Sequence, residues 1–289
     1  MLGHSLGSAA YALLNPLGAI SALLFTIIWI FLEWRRRRKA NPPASLLRDY
    51  NPFHYLIKDM RNKFNPVFLL LCYVAAYLSL MQGIRVTGFL FNLTKVGSRT
   101  LLLGGGINYA SGVLLFYAVF LLAAKLFPGN GKPTQQLEFV MPALALAHIF
   151  NRTACFLNGC CFGIPFKFGV IYPETASATI IYGEGERIFP NQPVESLIML
   201  LCFVLLLVLR ARGKRTLPIF PLVFGATGFL LGFGMDHSYE LLKPMFGFTY
   251  PTPFTHLLVF FIGVAFLLLV KKEKKEKVAS AQDTQTQSD

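Results

Sequence analysis

The chain has 289 residues, of which 54% are hydrophobic and only 14% charged, yet its formal net charge is +13. A soluble domain of this size carries about 25% charged residues. It also has no use for apolar runs long enough to cross a bilayer, whose core of about 30 Å takes about 20 residues of helix. A soluble enzyme is thereby excluded. So is a β-barrel, whose strands would alternate in polarity over about 10 residues, as these runs do not.

The pattern predicts an all-α polytopic membrane protein. Seven transmembrane helices are expected at about 11–34, 66–84, 101–127, 139–157, 193–209, 217–235 and 254–270. They form one membrane domain, residues 1–270, followed by a disordered basic and polar tail, 271–289. With the N-terminus outside, 20 of the 27 Lys and Arg residues fall on inner segments and six on outer ones, leaving Arg152 within a span. That asymmetry orients membrane proteins and places the C-terminus in the cytoplasm. The positive charge therefore serves topology and anionic lipid contacts, and no nucleic-acid partner is expected.

In chain order, the first span ends in Trp34 and the run RRRRK, which would hold it in the bilayer as a span rather than a cleaved leader. The inner loop to Asn65 contains His54 and reads as a plain loop or an interfacial helix. The third span opens LLLGGGINYASG, where Asn108, Tyr109 and Ser111 follow three glycines. Small residues of this kind either let helices pack closely or line a ligand.

The fourth span leads into AHIFNRTACFLNGCCFG, residues 147–163. As a helix, it places His148, Arg152, Cys155 and Gly159 on one face. An arginine at that depth costs a few kcal/mol or more and faces a cavity or a partner, so Arg152 is the leading functional candidate. His148 reads equally as a hydrogen-bonded core residue or a proton-transfer group. Cys155, Cys160 and Cys161 lack the CxxC spacing of structural zinc sites, and no metal is expected from their spacing. A disulfide among them is open, and Cys72 and Cys202 read as packing residues.

The outer segment 162–191 ends in RIFPNQPVESL, which enters the fifth span. Glu195 there reads either as an N-terminal carboxylate favoured by the helix dipole or, with Gln192, as a group facing Arg152. Asp236, His237 and Glu240 follow the glycine-rich sixth span and read as solvated. His256 opens the seventh and reads as an interface residue.

NRTACFLNGCCFG, FGVIYP and FPNQPVE together resemble the signature region of the bacterial prolipoprotein diacylglyceryl transferases, whose motifs run GRIGNFxNGExxG, WGVxFP and HPxQLYE. The likeness extends over roughly residues 104–235. It implies seven spans with the N-terminus outside, in a bacterial plasma (inner) membrane. It also implies transfer of a diacylglyceryl group from phosphatidylglycerol, or another anionic phospholipid, to the lipobox cysteine of a secreted preprotein. No cofactor is implied.

Carried over by position, Arg152, Asn158, Gly159, Pro190, Gln192 and Glu195 match family positions. Arg152, His148 and Glu195 become candidate catalytic residues. Asn158, Gly159, Gln192, Tyr109 and Asn108 become candidate substrate-binding residues. The chain also departs from the pattern. The family asparagine falls on Cys155, its acidic residue on Cys160, its histidine on Ala110, and its later arginine and acid near Gly228 and Gly232. These departures leave three other readings open: a paralogue with a different acceptor, a non-catalytic phospholipid-binding protein, and a transporter. The transporter is disfavoured because charge within the spans is almost confined to Arg152.

Overall fold

The computed structural model describes residues 13–14, 16–32, 74, 109–126, 133–174, 176–235 and 251–286. Apart from residue 74, the expected second span lies outside them, as do Asn108, Asp236, His237 and Glu240. The helices are α1 (Pro16–Leu32), α2 (Tyr109–Leu126), α3 (Pro133–Leu137), α4 (Met141–Asn158), α5 (Ser177–Tyr182), α6 (Asn191–Ala211), α7 (Ile219–Gly232) and α8 (Pro251–Thr286). Among the described residues, three helical stretches are long and apolar enough to cross a membrane: Pro133–Asn158, Asn191–Ala211 and Pro253–Glu276. Shorter apolar helices accompany them at Pro16–Leu32, Tyr109–Ala123 and Ile219–Gly232.

Periodicity explains the pairing. Helix α6 buries Gln192, Glu195, Met199, Cys202 and Leu206, steps of three and four residues that draw one seam along the helix. Its other side exposes Leu197, Leu200, Leu201, Val204 and Leu205, an apolar face suited to lipid. The seam packs on α4, and α7 packs on α8. Between them lies a continuous core that includes Phe116, Phe120, Leu144, Phe220 and Phe224. Pro142 sits in the first turn of α4, where its missing N–H costs nothing. Gly159 ends the helix with φ 67°, a left-handed conformation that a residue without Cβ adopts freely.

The outer segment is not purely helical, as the sequence pattern had suggested. Strands β1 (Pro165–Ile171) and β2 (Arg187–Ile188) form an antiparallel pair around α5. This cap has its own small core of Phe162, Tyr172, Ala176, Ala178 and Ile188. Backbone bonds from Gly163 N to Phe189 O (3.1 Å) and from Ile164 N to Gly234 O (3.0 Å) fasten it to the head of α6 and the end of α7.

At the opposite end of α4, the Arg215 guanidinium bridges Glu138 and Glu273. The Glu138 carboxylate also accepts the Leu217 N–H at 3.3 Å. That clamp helps correct one expectation. Residues 271–286 continue α8 as helix and do not form a disordered tail. Lys and Glu are strong helix formers, Lys272–Glu276 and Glu273–Lys277 stand one turn apart, and Glu273 is held by Arg215.

Helices α7 and α8 approach closely at Gly225, where an added Cβ would lie 2.4 Å from the Phe260 backbone nitrogen and 2.7 Å from the His256 oxygen. Backbone atoms cannot swing aside, so Gly225→Ala is expected to destabilise the protein by about 1–3 kcal/mol. Thermal unfolding in detergent micelles checks this, and an unchanged midpoint would count against the close approach.

Candidate functional site

Glu195 is the centre of the site. It is 1% exposed on the α6 seam, and its two carboxylate oxygens face two different partners on α4. His148 Nε2 lies 2.7 Å from Oε1, and Arg152 Nε lies 2.7 Å from Oε2. The spacing explains the geometry: His148 and Arg152 are one helical turn apart, so their polar heads stack along one face. A carboxylate on the neighbouring helix meets both. Of the two readings open for Glu195, the geometry supports the one facing Arg152 over the dipole cap, because both carboxylate oxygens meet partners across the helix interface. Burying these charges is costly unless they are paired and hydrogen-bonded, and here the partners are supplied.

Aromatic rings seal this chain from below. The His148 ring is 4.7 Å from that of Tyr109 and meets Phe224 edge-on at 4.9 Å. Tyr109 donates to the Leu144 carbonyl oxygen at 3.4 Å. His148 is fully buried. Its Nε2 is committed to Glu195, and its Nδ1 has no hydrogen-bond partner among the described residues.

Above Arg152, the chain turns sharply after Gly159. Gln192 donates from Nε2 to the Cys160 carbonyl oxygen, and its Oε1 accepts from the Tyr172 hydroxyl at 2.9 Å. Burial pushes the Tyr172 phenol up to about 12, so it remains a donor at neutral pH. The relay Tyr172–Gln192–Cys160 ties the cap, α6 and the cysteine turn together. Within that turn Cys161 has φ 57°, uncommon for a residue with a side chain. The turn gathers three thiols: the Sγ atoms of Cys155, Cys160 and Cys161 all lie within 4.8 Å of one another. Hydrogen bonding from Cys155, then from Cys161 and Asn158, holds the Cys160 thiol well below the usual thiol range, with the Arg152 charge adding to the effect.

Of the residues singled out in the sequence, His148, Arg152, Glu195 and Tyr109 come together in one chain of contacts. Gln192, Asn158 and Gly159 belong to the turn above it. Asn108 lies outside the described residues. Sequence reasoning missed Tyr172, whose partner lies 20 residues away, and His256. The latter is 2% exposed and buried between helices rather than at an interface. Its ring fills the space beside Gly228, where an added Cβ would lie 1.9 Å from Cδ2. It stacks 4.9 Å from Phe224, within electrostatic reach of Glu195. The one available signal was the glycine itself, which leaves room for the ring.

The fold and site define a helical membrane protein with a buried guanidinium–carboxylate–imidazole chain beneath a small hydrogen-bonded cap. Residues 53–268 match the prolipoprotein diacylglyceryl transferase family, and the chain belongs to it. It is 33% identical over 101 residues to the phosphatidylglycerol–prolipoprotein diacylglyceryl transferase of Clostridium tetani, a match covering 33% of this chain and 39% of that protein. A protein of the same name from Parasynechococcus marenigrum is 32% identical over 100 residues, 34% of this chain and 36% of that protein. The matched stretches thus span well under half the length of these relatives.

If Glu195 and Arg152 form one unit, their substitutions will not be additive. A double-mutant cycle with Arg152→Gln and Glu195→Gln, followed by thermal unfolding, is expected to give a coupling of about 1–3 kcal/mol. Additive losses would mean that the pair contributes nothing as a pair.

Proposed function

We propose that the chain crosses the bacterial plasma membrane seven times, N-terminus outside and C-terminus in the cytoplasm. In this reading it transfers a diacylglyceryl group from phosphatidylglycerol to the lipobox cysteine thiol of a secreted preprotein. The observation that carries the reading is the buried Arg152–Glu195 pair, on the segments that match the family motifs, inside a chain belonging to that family.

The chemistry fits the residues. The acceptor sulfur attacks the glyceryl carbon bonded to the phosphate ester oxygen. A carbon–sulfur bond forms, the carbon–oxygen bond breaks, and glycerol phosphate leaves with the extra negative charge. A planar guanidinium suits bidentate contact with that phosphate. Glu195 takes the Nε edge of Arg152 and so turns the Nη edge toward the phosphate. His148 positions Glu195 from the other side. Enclosed by Tyr109 and Phe224 and fully buried, it serves as a positioning residue and not as the group that meets an incoming peptide. Asn158, Gly159 and Gln192 shape the turn beside the headgroup.

A second reading has its own support. Ala110 and Gly228, where the family pattern places a histidine and an arginine, bring no polar side chain to the site. A phospholipid-binding protein with changed acceptor or lost activity would look the same.

Transfer of labelled diacylglycerol from phosphatidylglycerol to a lipobox peptide tests both. Wild type is expected to transfer, and Arg152→Ala to lower the rate by at least about 100-fold, the usual cost of one charge-stabilising donor. Absence of transfer by wild type, with phosphatidylglycerol still bound in preference to a neutral lipid, would favour the second reading. Equal affinity for the two lipids would remove the phosphate role of Arg152.

A further inference from the structure

The geometry points to a zinc site: Cys155, Cys160 and Cys161 bind one Zn(II) through three thiolates, and the fourth position receives the acceptor cysteine as a bound thiolate. This rests on the transfer reading above and supplies what that reading lacks, a means of ionising the acceptor sulfur.

Four observations support the site. The three Sγ atoms lie within 4.8 Å of one another. Around tetrahedral zinc, with Zn–S bonds of about 2.3 Å, sulfurs stand about 3.8 Å apart, so small side-chain rotations close the set. Cys155 comes from the last turn of α4, while Cys160 and Cys161 come from the turn after Gly159, so linear spacing did not reveal the cluster. The turn is held from outside by Gln192 and the cap, and Cys161 within it is left-handed. Conformations of that kind persist where their surroundings enforce them and gather at functional sites.

Charge and access also agree. Three thiolates and Zn(II) carry a net charge of −1, and Arg152 lies one helical turn before Cys155 on α4. Among the described residues, no fourth histidine, cysteine or carboxylate joins the group. Cys155 is buried, whereas Cys160 and Cys161 are half-buried. Three protein ligands with one open position is the arrangement of a catalytic zinc rather than a structural one.

An all-sulfur set is soft and favours another sulfur as the incoming ligand. The acceptor R–SH displaces the bound water, its proton passes to solvent, and the sulfur remains as Zn–SR, since a coordinated thiol is deprotonated outright. Attack on the glyceryl carbon then forms the thioether and expels glycerol phosphate. The neutral thioether is a poor ligand, and water replaces it.

Full-length protein purified in detergent under reducing conditions and loaded with Co(II) alone tests the site, independently of activity. Wild type is expected to bind one equivalent and to show the sulfur-to-cobalt charge-transfer band, which Zn(II) abolishes. Cys160→Ser and Cys161→Ser should each lower that band by about one third, one sulfur in three. Cys202→Ser, whose thiol lies in the apolar core, should leave it unchanged. A lipobox peptide with one cysteine should raise the band by about one third, and its serine counterpart should not. Absence of the band, a band insensitive to both serine variants, a disulfide among the three cysteines, or no response to the cysteine peptide would each overturn the inference. Transfer assayed in parallel separates the two readings. Transfer by metal-free protein keeps the proposed function and overturns the zinc site. A cobalt site that takes the peptide thiol in protein that never transfers keeps the site and overturns the proposed function.

Discussion

The structure around α4 and α6 depends on one carboxylate. Glu195 lies on an otherwise apolar seam and touches two cationic or proton-bearing heads on the facing helix, His148 and Arg152. In a medium that cannot solvate them, none of the three is tolerable alone. Their mutual pairing fixes the rotation of α6 against α4 and the height of Arg152. It thereby also fixes where the turn after Gly159 emerges. Breaking a buried pair by removing one member is costly because the other charge remains behind, so the arrangement is specified strongly by few atoms.

Beside that pairing, two positions are occupied by small residues. Gly228 leaves a gap between α7 and α8, and the His256 ring occupies it, packed on Phe224. Ala110 is buried against the core, next to Tyr109, whose ring covers His148. Among the described residues, the ion-paired and thiol side chains of the site lie on α4, α6 and the turn between α4 and β1. Cys155, Cys160 and Cys161 fall within that region.

Much of this was legible in the sequence. Hydropathy marked the long apolar helices, because lipid imposes a length and a composition that few other pressures imitate. Arg152 stood out because charge within an apolar run is expensive. Gly159, read as the last member of a helical face, instead ends α4, where a left-handed residue closes a helix most readily. What remained hidden was whatever depends on two distant segments meeting. Glu195 read either as a dipole cap or as a group facing Arg152, since its cross-helix partners are 43 and 47 residues away and only the fold decides between them. Tyr172 had no local signature, because its value lies in Gln192. His256 resembled an interface residue until the glycine facing it was located. The helical continuation past Lys271 was missed because composition favouring a solvated tail is the same composition that favours a helix once Arg215 anchors one turn of it.

The cysteines illustrate the same limit at shorter range. Ligand spacing rules assume that one loop or one helix turn presents the set, as CxxC does. Here a helix end, a left-handed glycine and a left-handed cysteine reverse the chain within six residues, so positions five and six apart converge where a continuous helix would spread them around its axis. Five residues along a helix amount to 500° of rotation and about 7.5 Å of rise, which would separate Cys160 from Cys155 too far for one ion. The break at Gly159 removes that rise. The same break that ends the membrane helix therefore creates the thiol cluster, and it does so directly above the one guanidinium the bilayer segment carries. In the proposed reading, the guanidinium that meets the phosphate and the thiols that meet the acceptor sulfur are neighbours because one helix terminates between them.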